Sequence, residues 1–286
     1  MHPILFTIPG LDFHVRSFGL MVAAGFLLGT WILGKLVQRG SPDPKRDLER
    51  YGALPVWVLI GVVLGARALY IIVEIARQSP TGQEYLAQPW KMLAIWEGGL
   101  VMYGGMFGGM LGGVLCAKRL KLPIANALDL GVTAAFFGQA VGRIGCLLVG
   151  DDYGARVPER FQHLPFPLTL RVPKPLPEHS LFGEANAGQL LWATQPLMTI
   201  KALIVGCIGL WMLKRRKYAG QAALVMIVVY AILRSGVEFL RGDEIRGVWF
   251  GGLLSTSQMI AIASGLIALL LLVANRNRRE PSIAYG

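Results

Sequence analysis

The chain alternates long apolar runs with short polar ones, and the apolar runs exceed what an ordinary soluble core requires. Seven near-continuous hydrophobic segments are read, at about 18–38, 53–75, 93–117, 123–148, 195–213, 221–240 and 257–274. Each is close to the roughly 20 residues a helix needs to cross a bilayer. The third, fourth and sixth are interrupted by glycine or charge, so their ends are the least sharply marked. The short alternating segments of a membrane barrel are absent. The pattern predicts an all-α integral membrane protein of seven transmembrane helices, a single membrane domain spanning residues 1–286. One long polar interruption, 150–193, carries Pro158, Pro165, Pro167, Pro173, Pro175 and Pro177, which deny it a long helix. Its scattered Phe161, Phe166, Leu181, Phe182 and Trp192 suit a small proline-rich cap; a passive connector is the alternative.

Composition strengthens the membrane reading. The 286 residues are 54% hydrophobic and 16% charged, against roughly 25% charged in soluble domains, and the mean hydropathy is +0.52. A net charge of +11 would suit nucleic acid, but its distribution argues for membrane topology and no nucleic-acid partner. Basic residues follow the first span (Lys35, Arg39, Lys45, Arg46, Arg50), the third (Lys118, Arg119, Lys121), the fifth (Lys214 to Lys217) and the seventh (Arg276, Arg278, Arg279). The opposite short loops hold only Arg16, Arg77, Lys91, Arg241 and Arg246. The positive-inside rule places the amino terminus outside and the carboxyl terminus in the cytoplasm, with 150–193 extracytoplasmic. The first apolar segment lacks a basic leader and a small-residue cleavage site, so no removable signal peptide is read. Cys116, Cys146 and Cys207 lie in or at the ends of apolar segments and read as packing residues. The four histidines form no ligand spacing, so no metal and no cofactor are expected.

Two features of the spans bear on function. In the third, Gly104, Gly108 and Gly112 recur every four residues, as do Gly105, Gly109 and Gly113, a smooth face for close helix approach. Glu97 precedes Gly98 and Gly99, where a helix break is expected. Ionisable residues also sit where a bilayer penalises them, at about 2.5–3.5 kcal/mol for an arginine at a span's centre. Arg67 is mid-span, Arg143 lies in the outer part of the fourth span, and Arg234 and Glu238 lie in the sixth with Arg241 at its end. Arg234 and Glu238, four apart, share a helix face and can neutralise each other. Glu238 cannot satisfy Arg143, Arg234 and Arg241 together, which leaves a guanidinium fork suited to a lipid phosphate.

These residues carry a resemblance. "GRIGCLLVGDDYG" resembles the G-R-x-G-N-F-x-N-x-E-x-x-G signature of the prolipoprotein diacylglyceryl transferase family. "EGGLVMYGGMFGG" is similar to its D-G-G-M-x-x-H-G-G-L segment, "LRSGVEFLRGDE" to F-R-x-x-V-E-F-x-R, and "GARALY" to G-x-R-x-x-Y. "SFGLMVAAGF" and "STSQMIAIAS" resemble the first and last spans, in the family's order. The resemblance implies a seven-span enzyme of the bacterial cytoplasmic (inner) membrane. It would transfer diacylglyceryl from phosphatidylglycerol, or another anionic phospholipid, to the lipobox cysteine in the signal peptides of prolipoproteins. It further implies that Arg143 and Arg234 hold the lipid phosphate, Glu238 orients Arg234, and Arg241 sits at the rim. Gly142, Gly145 and Gly154 would shape the backbone beside the head group, Gly104 and its neighbours would admit the lipid, and 150–193 would cover the docked peptide.

The departures from the family pattern bear on turnover. Tyr103 stands at the family's histidine, Cys146 at its asparagine, Asp151 at its glutamate and Phe18 at its first-span tyrosine; H-P-x-Q-L-Y-E survives as "WATQP", with Thr194 and Gln195 matched. A thiol of pKa about 8.5 needs a base or a positive field, and Tyr103, Asp151, Asp152 or the arginines are the candidates to provide it. The open alternatives are a non-catalytic homologue that binds anionic phospholipid or lipoprotein signal sequences, and a transporter.

Overall fold

The structure, a computed structural model, describes residues 1–8, 13–242, 247–249 and 254–280. Arg246, counted above among the sparse loop cations, and the Asp243 and Glu244 of "LRSGVEFLRGDE" lie outside them. An antiparallel hairpin, β1 (Ile4–Ile8) and β2 (Phe13–Arg16), leads into α1 (Ser17–Gly40). Then follow α2 (Pro44–Gly52), α3 (Leu54–Ala76), α4 (Pro80–Ala87), α5 (Met102–Arg119) and α6 (Ile124–Val149). After a small hairpin, β3 (Thr169–Arg171) with β4 (Leu190–Trp192), come α7 (Thr194–Leu213) and α8 (Gln221–Glu238). A last hairpin, β5 (Val248–Trp249) with β6 (Leu254–Ser255), opens α9 (Thr256–Ala274).

Among the described residues, six helices are long and apolar enough to cross a membrane: α1, α3 with α2 ahead of it, α6, α7, α8 and α9. α1, α3 alone, α6, α7, α8 and α9 lie within two residues of six of the expected segments. The third segment departs. Instead of a helix over 93–117, two single 3-10 turns (Pro89–Leu93 and Ile95–Glu97) precede Gly98 and Gly99, and α5 starts only at Met102. The two glycines have φ of +88° and +72°, a left-handed backbone that ends any α-helix there. The 18 residues of α5 include six glycines, which keep it out of the apolar set.

The chain forms two compact units, residues 37–127 and residues 1–36 with 128–286. In the first, α3 and α5 pack backbone to backbone. A β-carbon at Gly108 would stand 2.1 Å from the Gly61 carbonyl oxygen, and one at Gly104 2.3 Å from that of Gly65. The glycine face is therefore filled by α3, as small-residue helix seams in membranes are. Arg67, on α3 and 5% exposed, is satisfied by the broken segment itself. Its Nε donates to the Met92 carbonyl (2.9 Å), Nη1 to Gly98 (2.7 Å) and Gly99 (3.3 Å), and Nη2 to Lys91 (2.9 Å). Irregular backbone in a membrane protein must have its polar groups paired by protein or water, and Arg67 does this for four carbonyls.

In the other unit, α1 crosses α6 closely, with a β-carbon at Gly25 only 2.4 Å from the Gly138 carbonyl oxygen. α8 packs along α9 and α7. Fully buried Asp129 of α6 caps the start of α8, accepting from the Gly220 and Ala223 amides (2.8 and 2.7 Å) and from Arg216 Nη1 (2.5 Å). α9 opens with a capping box between Ser255 and Gln258. The 150–193 segment has an apolar centre of its own: Val172, Phe182 and Leu191, with Met1, Tyr153, Leu170 and Leu176 against it. Cys116 and Cys146 are buried, whereas Cys207 is exposed on α7. An apolar helix face turned outward takes a small thiol as readily as a core does.

Candidate active site

One group of charged residues of the larger unit, Arg143, Asp151, Asp152, Arg234, Glu238 and Arg241, gathers where α6 and α8 end and α7 and α9 begin. α6 carries Arg143 and, one turn on, Cys146. The Gly150 and Asp151 amides both return to the Cys146 carbonyl (2.9 and 3.0 Å). Gly150 (φ +80°) and Asp152 (φ +53°) then turn the chain sharply. That turn delivers Asp152 back to the helix it has just left, where its Oδ2 accepts from Arg143 Nη1. Its Oδ1 accepts from Arg241 Nη2 at 2.5 Å. One carboxylate therefore holds two guanidiniums, one from each side of the site.

The turn is held from α7. Thr194 Oγ1 donates to the Asp152 carbonyl (2.5 Å), and Gln195 Nε2 donates to that of Asp151 (2.8 Å). This is what the surviving part of "WATQP" does locally: two fully buried side chains fix the backbone of the acidic pair. Gly154 continues the same clamp. It bridges to Arg241, its amide donates to the Trp192 carbonyl (3.1 Å), and a β-carbon there would lie 2.3 Å from that oxygen. Any side chain at 154 would push β4 off the end of α8.

On α8, Arg234 Nη1 lies 2.7 Å from Glu238 Oε2, the intrahelical pair expected from their spacing. Arg234 Nη2 also donates to Ser257 Oγ of α9 (3.1 Å). Of the glycines implied beside the head group, Gly145 sits under α1, where a β-carbon would be 2.9 Å from that of Met21. Gly142 faces open space beside Arg143. Tyr103 and Gly104 belong to the other unit, in the first turn of α5.

The electrostatics of the two aspartates differ. Burial alone would raise the Asp152 carboxyl, but the Arg143 and Arg241 guanidiniums outweigh it and hold the group below the usual carboxylate range. Asp151 moves the other way: desolvation in the crowded turn, then the charge of Asp152, push its carboxyl up. Its Oδ1 accepts the Asp152 amide (2.9 Å) and its side chain is otherwise turned to the exterior. Cys146 Sγ and the two carboxylates lie within 4.8 Å of one another. Both oxygens of Asp152 are already taken by guanidiniums, and Cys146 Sγ is 3.9 Å from Arg143 Nη1.

Two members of this cluster escape a reading of the sequence. Asp152 was only an alternative to Asp151, since nothing in the order of two adjacent acids says which one folds back. Lys201, in the middle of α7, belongs to no motif. It is 3% exposed, with Nζ 4.2 Å from the centroid of the Tyr230 ring. It lies in the electrostatic field of Arg234, Arg143, Glu238 and Arg241, and Tyr230 stands one helical turn before Arg234 on α8. Its signal was present, a lone lysine in the otherwise uncharged "QPLMTIKALIVGCIG".

The arrangement is a concentration of positive charge: Arg143, Lys201, Arg234 and Arg241 against Asp151, Asp152 and Glu238. A desolvated cation–π contact contributes about 2 kcal/mol, whereas burying an ion costs several kcal/mol even after relaxation. Tyr230 alone does not offset the burial of Lys201. Chemically, such an arrangement is able to bind an anion and to stabilise negative charge that grows on it.

Comparison with known proteins agrees with this chemistry. A family model described as prolipoprotein diacylglyceryl transferase matches residues 3–274. Phosphatidylglycerol–prolipoprotein diacylglyceryl transferase 2 of Clostridium perfringens (strain 13 / Type A) is 32% identical over 262 residues, covering 92% of this chain and 91% of that protein. The Clostridium tetani transferase is 28% identical over 280 residues, 98% of this chain and 100% of that protein. The Synechococcus elongatus transferase is 27% identical over 267 residues, 89% and 82% of the two. Since the match runs through all six apolar helices and through Arg143, Arg234 and Arg241, the chain belongs to the prolipoprotein diacylglyceryl transferase family.

Proposed function

We propose that the chain transfers the diacylglyceryl group of phosphatidylglycerol to the lipobox cysteine of prolipoproteins in the bacterial cytoplasmic membrane. In this reading α5 is a seventh span, the amino terminus is outside, and 150–193 covers the site from the outer face. The observation that carries it is the arginine set around Asp152 and Glu238, in a member of this family. Arg143 and Arg234 take the lipid phosphate. The peptide thiol attacks the glyceryl carbon that bears the phosphate, a carbon–sulfur bond forms, and the carbon–oxygen bond to phosphate breaks. The electron pair goes to the departing glycerol phosphate, whose charge the guanidiniums already face. The thiol proton passes to Asp151, the exposed carboxylate beside the cluster, whose raised affinity for protons suits a base. Gly104 and its neighbours are taken up by α3, so lipid entry is assigned instead to the open side of Gly142.

The test is conversion of a lipobox peptide by the protein reconstituted with phosphatidylglycerol, read by mass. Arg143→Ala is expected to lower the rate by 10²-fold or more, the order seen when one oxyanion donor is removed. Conversion at the parent rate by that variant overturns the mechanism. A second reading is favoured by Tyr103 and Cys146 at the family's histidine and asparagine: a homologue that binds lipid or signal peptide without turnover. The same assay separates the two, because lipid binding dependent on Arg143 with no product from the parent protein identifies the second.

A further inference from the structure

The buried ammonium of Lys201 lies outside the family pattern described above. On α8, Tyr230, Arg234 and Glu238 follow one another at intervals of four, which puts them on one helix face. Lys201 enters that stripe from α7, over the Tyr230 ring at 4.2 Å, about 10 Å along the helix from Thr194. Phe136 of α6 covers Tyr230 from another side, with ring centroids 5.7 Å apart. Glu238 is engaged by Arg234 (2.7 Å) and Asp152 by Arg143 and Arg241. Lys201 itself makes no salt bridge or hydrogen bond among the described residues. A lysine almost wholly removed from water, whose contact is an aromatic face one helical turn from Arg234, carries a costly charge that an anion would offset.

We propose that Lys201 is a further lipid-binding residue: it contacts the phosphate of the bound lipid together with Arg143 and Arg234, and selects a singly anionic head group over a zwitterionic one. The inference rests on the reading given under Proposed function. Four cations outnumber the three carboxylates, one of which is the exposed Asp151, so a phosphodiester with an uncharged head lowers the excess of positive charge. A head group bearing its own ammonium adds a fifth cation to a desolvated site.

The experiment measures lipid binding, not turnover. The protein is held in phosphatidylcholine nanodiscs, and binding of phosphatidylglycerol and of phosphatidylethanolamine is measured by native mass spectrometry for the parent, Lys201→Met, Lys201→Arg and Arg143→Ala. Lys201→Met is expected to weaken phosphatidylglycerol binding about tenfold or more, the worth of one charge-assisted contact. It should also shrink the preference over phosphatidylethanolamine, and Lys201→Arg should restore both. The Tm of Lys201→Met should equal or exceed the parent's, because a desolvated charge is gone. Unchanged preference in Lys201→Met, or a lowered Tm with unchanged preference, overturns the proposal and makes Lys201 a packing residue. If Arg143→Ala loses phosphatidylglycerol while Lys201→Met keeps it, only the role of Lys201 fails. If the parent prefers neither lipid, the wider reading fails with it.

Discussion

Asp152 carries the guanidiniums of Arg143 and Arg241 on its two carboxylate oxygens, so one side chain sets the geometry of the arginine pair. Asp152→Asn keeps the size and removes the charge. It is expected to lower the Tm at pH 7, by the equivalent of about 1–3 kcal/mol for a partly buried pair losing one member. The pH dependence follows from the sign of the shift. The folded carboxyl lies below its unfolded value of about 3.9. Its contribution is therefore complete above that value and is lost as the pH falls through the depressed folded pKa. The loss of Tm on acidification below about pH 4 should thus be shallower in Asp152→Asn than in the parent. Equal acid limbs would mean that Asp152 is not paired in solution. Arg143, Arg234 and Glu238 stand out because ionisable residues in apolar runs are rare. The choice between Asp151 and Asp152 does not, because it depends on a left-handed turn at Gly150 and Asp152.

At the scale of elements, the seam between α3 and α5 is the most demanding contact. Its helices meet at Gly61, Gly65, Gly104 and Gly108, with no room for a β-carbon. Gly108→Leu is expected to force the pair apart and lower the Tm of the purified protein by the equivalent of about 1–3 kcal/mol or more. Gly131→Leu, at a position where a β-carbon meets nothing within 4 Å, is the control and should leave Tm within about 0.5 kcal/mol. Equal Tm values would show that the seam does not carry stability. Periodic glycine made this seam legible in advance, since a spacing of four is a local property of a helix. The break before α5 was legible only in part. Gly98 and Gly99 mark the place, but the 3-10 turns exist because Arg67 of α3 collects the carbonyls that the break exposes.

At the scale of the whole molecule, the uneven basic loops set an expected orientation. An epitope inserted after exposed Glu159 should be reached by antibody on intact spheroplasts, while one at the carboxyl terminus should need permeabilised membranes. The reverse pattern would invert the topology on which an outward-facing site depends. The sequence by itself determined where six membrane-length helices start and stop, that α3 or another helix must lie against the glycines of α5, and which charges are out of place. All of these depend on apolar length, period and composition, which are properties of neighbouring residues. Tertiary structure alone decided how the charges are shared. Asp152 reaches Arg241 across 89 positions of sequence, and Asp129 is withdrawn from the site to cap α8 across 91 and 94 positions. Lys201 meets the Arg234 face only because α7 packs on α8. Ion pairs act over a few ångströms, and which residues come within that range is set by how the helices pack, not by their order along the chain.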